Sequence, residues 1–270
     1  MNISLEHFEE EFKSITTTSL KDCSSKDYQQ TRYVLLCYRA QDIKSFVYEP
    51  YLELNDISKI EFLNSIILHS QISEIVTWAL YEVDKINIEI LIQQKKILLN
   101  WANSIENWWH SDQLSSIYNK ILSNNRIFFK DLRQFNNFSS PWHRRLSITS
   151  LYYYAKSCKD PLPLEMTLPL VEKLLVDENY YVQKGIGWTL REMSQINYNQ
   201  TLEFLKIHTK HIAPAGFSAA LEKINEKDKE YIKQLRKKEN SNPHEFEAHH
   251  SPLTIKYHKL KLDIHNHLRD

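Results

Sequence analysis

Apolar residues recur along this chain at intervals of three and four, and runs of strict apolar and polar alternation are scarce, so the pattern predicts helices from end to end. They are expected over 5–15, 24–37, from 40 to a stop or bend near Pro50, and then over 57–68, 70–84, 87–100, 107–122, 126–135, 139–157, 168–176, 179–194, 199–209, 214–224 and 228–238. Ser24-Ser25-Lys26-Asp27, Asn55-Asp56 and Ser139-Ser140-Pro141 supply the capping side chains or the N1 proline that favour a helix start. In 70–84, Ile72, Ile75, Trp78 and Ala79 fall on the side expected to be buried.

The helix over 179–194 sorts its residues most sharply. At about 100° per residue, Tyr181, Lys184, Trp188 and Arg191 share one narrow arc, while Val182, Ile186, Leu190 and Met193 share another well separated from it. An apolar face packs inward and a cationic, aromatic face is left over. Two of the chain's three glycines, Gly185 and Gly187, sit inside this helix, each at a cost of roughly 1 kcal/mol relative to alanine. Either a neighbouring helix packs close against them or something bulky approaches the backbone; spacing does not choose.

Shifted back 39 residues, the same helix places Tyr181 on Trp142, Lys184 on Arg145 and Leu190 on Leu151. Trp78-Ala79-Leu80-Tyr81-Glu82 also echoes Trp188-Thr189-Leu190-Arg191-Glu192. A period near 40 residues built from two helices predicts an all-α fold, a curved α-solenoid of HEAT-like antiparallel helix pairs whose concave face forms a basic groove. Residues 1–238 form this repeat domain. Residues 239–270, where His244, His249, His250, His258, His265 and His267 accumulate without periodicity, read as a polar tail in preference to a metal site.

Net charge is zero, but unevenly distributed: residues 1–112 hold 10 Lys and Arg against 17 Asp and Glu, and residues 113–191 hold 11 against 6. The local basic excess suits a phosphate-binding surface. No apolar run approaches the roughly 20 residues of a membrane span, and the acidic start carrying Glu6, Glu9, Glu10 and Glu11 is unlike a signal peptide, so a cytoplasmic, soluble monomer is expected. Cys23, Cys37 and Cys158 show no ligand-like spacing and read as buried or indifferent thiols. No metal or cofactor is expected.

Three clusters combine aromatic and charged residues: Asn107-Trp108-Trp109-His110-Ser111-Asp112, Pro141-Trp142-His143-Arg144-Arg145, and the helix over 179–194. Trp108 and Asp112, four apart, share a helix face, and a carboxylate beside an indole can stabilise a positive charge developing between them. For Trp109 and Trp142 the plainer reading is core packing.

The run from Asp177 to Glu192 resembles the signature helix of the bacterial HEAT-like-repeat DNA alkylation repair glycosylases, and Asn107-Trp108 with Asp112, then Trp142 with Arg145, resemble that family's two upstream motifs in order. The similarity spans roughly residues 30–238. The chain departs from the family pattern at Trp109, His110 and Ser111, and at Phe217 and Ser218, where a basic residue is usual. The resemblance implies a glycosylase that excises N3- and N7-alkylated purines from duplex DNA in base excision repair. It places Trp108 and Trp188 beside the lesion's deoxyribose and makes Asp112 the catalytic carboxylate. Arg145 and Arg191 would hold backbone phosphates, with Lys184 and Arg144 as further DNA contacts. The alternative is a catalytically silent HEAT-like scaffold that binds DNA or a protein through the same face.

Overall fold

The structure, a computed structural model, describes residues 4–15, 31–153 and 160–241. Fifteen α-helices and one 3₁₀ turn, Trp101–Ser104, occupy the described residues, which contain no strand longer than an isolated bridge. The chain divides into two compact units, 1–128 and 129–270.

The first unit holds α1 (Leu5–Lys13), α2 (Ala40–Ser45), α3 (Glu49–Leu52), α4 (Asp56–His69), α5 (Ser73–Val83), α6 (Ile88–Gln93), α7 (Lys95–Asn100) and α8 (Trp108–Asn124). Its centre is α5, buried nearly all round, which packs against α2, α4 and α8. Trp78 is 1 % exposed and meets the rings of Phe8, Phe46 and Tyr51, so one indole ties three other segments together. Asn55 caps α4 by accepting from Ser58 N–H, as its sequence position predicts.

Three expectations fail in this unit. The helix expected over 24–37 is absent over 31–37; its earlier part lies outside the described residues. Val34 instead bridges to Ile72: its N–H donates to the Gln71 carbonyl and its own carbonyl accepts from Ser73 N–H. Backbone groups bound to α5's leading edge are unavailable for a helix of their own. Pro50 opens α3 rather than closing a helix, because its missing N–H costs nothing in a first turn. Cys37 is disulfide-bonded rather than an indifferent thiol, and Cys23 and Cys158 lie outside the described residues.

The second unit follows from α9 (Phe128–Phe135), whose first residue closes the first unit: α10 (Pro141–Thr149), α11 (Leu164–Lys173), α12 (Tyr180–Ile196), α13 (Tyr198–His208), α14 (Pro214–Ala220) and α15 (Glu226–Ser241). Helix α12 packs on α10 to one side and α14 on the other, while α11 packs on α10, and α13 on α12 and α15. Alternate helices therefore lie side by side, as a two-helix repeat requires. Helices α10 and α12 begin at Pro141 and Tyr180, the 39-residue offset read from the sequence. Helix α10 ends at Thr149, eight residues before its expected end at Ser157, and the tail assigned to 239–270 lies outside the described residues beyond Ser241.

Glycine makes the central packing possible. A Cβ added to Gly187 would fall onto the carbonyl oxygen of Gly216 in α14, and one added to Gly216 would fall onto the carbonyl of Gln183. The α12 and α14 backbones touch with no side chain between them. At Gly185 a Cβ would lie 3.2 Å from Cγ and Nη1 of Arg145, a flexible side chain. Close packing of two backbones accounts for Gly187, while Gly185 faces only the Arg145 and Thr149 side chains.

The three positions predict different outcomes. Gly187→Ala and Gly216→Ala each force two backbones apart and should cost at least about 2 kcal/mol, lowering Tm by about 5 °C or more. Gly185→Ala should stay within about 1 kcal/mol of wild type, because Arg145 yields and helix propensity improves. Thermal melts of the three variants check this, and equal Tm values would remove the distinction.

Candidate nucleic-acid interface

The first turn of α8 is built from beneath. Asn107 caps it, accepting from His110 N–H at 2.8 Å, and its side-chain amide meets His110 Nδ1 at 3.2 Å. His110 is fully buried; its Nε2 lies 3.0 Å from the Ser73 carbonyl and 3.1 Å from Thr77 Oγ1. The Tyr33 ring sits edge-on to the imidazole, and Tyr33 donates to the Ser104 carbonyl. With His110 and Ser111 at 0 % exposure, the turn is locked onto α5, and Trp108, Trp109 and Asp112 remain half-buried on its outer side. The Trp108 and Trp109 rings meet edge to face at 5.6 Å. Trp109 lines a cleft rather than the core.

On α12, Val182, Ile186, Leu190 and Met193 are at 0 % exposure, whereas Lys184 is exposed and Tyr181, Trp188 and Arg191 are half-buried, which is the sorting read from the sequence. The Arg191 guanidinium lies 5.5 Å from the Trp188 ring centre, and Lys184 Nζ 5.7 Å from that of Tyr180. Tyr153 packs its ring 5.1 Å from Trp188, a partner the periodicity did not single out. Arg191 also donates through Nε to Glu192 and through Nη1 to Glu222, each near 3 Å. These bonds outweigh burial and hold its pKa above the ordinary value, while Arg191 holds the Glu222 carboxyl below its own.

Two residues expected to contact DNA have partners within the second unit. Arg145 is 5 % exposed; it passes beneath Gly185 and donates through Nη1 to the Tyr181 carbonyl at 2.7 Å. Arg144 grips Asp177 with two bonds, at 2.5 and 3.2 Å, and donates through Nη1 to the carbonyls of Phe138 and Ser139. Both are braces joining α10 to the turn that opens α12 rather than cations presented on a face. A helical arc assigns direction to a side chain but not its partner, and a long guanidinium reaches a carbonyl one helix away. Trp142 packs at a tilt against Tyr181, ring centres 5.0 Å apart.

A family model described as DNA alkylation repair enzyme matches residues 20–224. The chain belongs to the DNA alkylation repair enzyme family. Membership places its role in DNA repair. Among solved structures, AlkD2 from Streptococcus mutans is similar at 16 % identity, with 73 % of this chain and 93 % of that chain covered and a TM-score of 0.45. No curated protein matches the sequence. Among the described residues, no group of three or more His, Cys, Asp and Glu side chains is placed to hold a metal ion, and no helix is long and apolar enough to cross a membrane.

The buried imidazole beneath α8 gives the fold an acid limit. Burial lowers the His110 pKa from 6.5 to about 4. Between those values the unfolded chain takes up a proton that the folded one refuses, so stability present above pH 6.5 is lost as pH falls toward 4. For one group this amounts to about 3 kcal/mol, at a slope near 1.4 kcal/mol per pH unit. His208, lowered to about 4 by burial and then by His211, steepens the same limb. Denaturant titrations between pH 7 and 4.5 should show this loss, and a shallower one in His110→Gln; identical slopes would contradict it.

Proposed function

We propose that the chain is a DNA glycosylase that releases N3- and N7-alkylated purines from duplex DNA, with Asp112 as the catalytic carboxylate and Trp108 beside it. The observation that carries this reading is the first turn of α8, where a buried cap and imidazole hold an indole and a carboxylate one turn apart on the outer side. Within the second unit taken by itself, Lys184 and Arg191, beside Trp188, are assigned contacts with backbone phosphates.

Such a sparse site suits the chemistry. An N3- or N7-alkylpurine in DNA already carries positive charge, so its glycosidic bond breaks with the electron pair going to the purine and no acid is needed to protonate the base. What remains is an oxocarbenium-like sugar. A carboxylate stabilises it until a water oxygen bonds to C1′ and gives up a proton, and an indole face shields the same charge.

Base release from methylated duplex DNA tests the assignment. Wild type should release N3- and N7-methylpurines well above the spontaneous rate, and Asp112→Asn should lower that rate by about 100-fold or more, the usual cost of removing a charge-stabilising group. No release by wild type, or none lost in Asp112→Asn, would sink the reading.

One observation favours the alternative of a catalytically silent scaffold: Arg144 and Arg145 serve as internal braces and Arg191 is held by two carboxylates, leaving fewer cations to grip a lesion-bearing strand. Duplex binding that weakens steeply with salt but is never accompanied by base release identifies a silent DNA binder. No binding even at low salt points to a protein partner. On the glycosylase reading, Glu222→Gln relieves Arg191 of one competitor and should tighten duplex binding several-fold at low salt; unchanged affinity would remove Arg191 from the phosphate contacts.

A further inference from the structure

Four large apolar side chains are exposed among the described residues of the second unit, and three of them, Phe138, Val176 and Tyr180, stand where α10 and α12 begin. The turns before these helices are tied together. Arg144 joins the Phe138 carbonyl to the Asp177 carboxylate, and Lys173 donates to Asn137 Oδ1. Val176 is 81 % exposed, and beside it Arg144, Asp177, Glu178 and Asn179 line a depression of about 530 Å³. Asp177 is held by Arg144, whereas the exposed Glu178 has no partner among the described residues. A single exposed apolar residue is ordinary; three on two tied turns make a patch that a partner can cover.

The chain itself leads back to this patch. Helix α15 carries its last turns to the end of the unit where α12 begins: Arg236 donates through Nη1 to the carbonyls of Thr209 and Ile212. Next to Thr209, His208 Nε2 lies 3.9 Å from Oε1 of Glu172, which shortly precedes Val176. Ser241, the last residue of α15, stands about 7.5 Å further along the helix axis than Arg236. From there residues 242–252 span at most about 40 Å when extended, enough to bridge from α15 to the turn at 176–180. The sequence that follows, Leu253-Thr254-Ile255-Lys256-Tyr257-His258-Lys259-Leu260-Lys261-Leu262-Asp263-Ile264, alternates apolar and polar residues in two runs, a period of two in a chain otherwise patterned for helices. Between Ala248 and Leu262 it carries Lys256, Lys259 and Lys261 and no carboxylate, so its charge complements Glu178.

We propose that residues 253–264 of this chain dock as an extended segment across the turns that open α10 and α12. Leu253, Ile255 and Tyr257, on one side of such a segment, cover Phe138, Val176 and Tyr180, and the long Lys256 side chain reaches Glu178 at the rim. The strap borders Lys184, whose Nζ lies 5.7 Å from the Tyr180 ring centre, so it bounds the outer face of α12 at its first turn. The contact involves no group of the proposed reaction and stands or falls apart from it.

Photo-crosslinking of the full chain with p-benzoylphenylalanine in place of Val176, followed by peptide mapping, tests the contact. The expected product is an adduct within one chain on residues 253–264, largely lost when Ile255→Asp is added. An adduct joining two copies of the chain, an adduct elsewhere on the same chain, or no adduct would overturn the proposal. Trypsin gives a reading without the probe. Docking should slow cleavage after Lys256 by about fivefold or more relative to the double variant Val176→Ser, Tyr180→Ser, because the protease takes only the undocked segment. Both substitutions fall at exposed positions and should leave Tm unchanged. Equal cleavage of wild type and the double variant would also overturn it.

Discussion

The second unit depends on a seam that contains no side chains. Where α12 meets α14, Gly187 and Gly216 bring two backbones into contact, and any Cβ at either position would occupy the space of a carbonyl. Helix α12 cannot shift along or rotate about its axis without losing that fit, so the contact sets which of its residues face inward. Val182, Ile186, Leu190 and Met193 fill the interior, and Lys184, Trp188 and Arg191 are left outside at fixed orientation. The glycine cost in helix propensity is offset by van der Waals contact along the seam and by the definition it imposes on the outer face.

The flank of α12 that meets α10 is held by a different device. Arg145 threads past Gly185 to reach the Tyr181 carbonyl, and Arg144 ties the Asp177 turn to the carbonyls that precede α10. Guanidinium groups suit this task because several donors diverge from one planar group and satisfy carbonyls that the ends of helices leave open. The consequence for recognition is a division of labour. The basic excess of residues 113–191 is partly spent inside the fold, and the cationic character of the outer face comes from fewer residues than the count of Lys and Arg implies.

Helices with strong periodicity were legible to within two residues at each end: α4, whose Asn55 cap was read as well, α8, and α12 with its two faces sorted as expected. What escaped the sequence was pairing. Nothing in the spacing of Tyr33, Val34 and Leu36 shows that the Tyr33 hydroxyl goes to the Ser104 carbonyl, or that backbone groups of Val34 and Leu36 go to α5 and the turn before it instead of to a helix of their own. The placement of the candidate side chains divides in the same way. Trp108, Asp112, Trp188 and Lys184 stand on outer faces because a helical arc sets direction, whereas Arg144, Arg145 and Arg191 each also have a partner, Asp177, the Tyr181 carbonyl and Glu222 respectively, that is 30 or more residues away. Glu222 carries no local signal at all; only the turn after α14 brings it to Arg191. His110 looked like a departure from a motif and is the imidazole that holds the turn in place.

The grip of Glu192 and Glu222 on Arg191 changes what an encounter with a phosphate would be. A phosphate that takes this guanidinium does not meet a bare charge; it trades places with a carboxylate. The exposed Glu222, deprived of its partner, returns to water, so the contact gains only the difference between two charge-assisted pairs and contributes less than a bare guanidinium would.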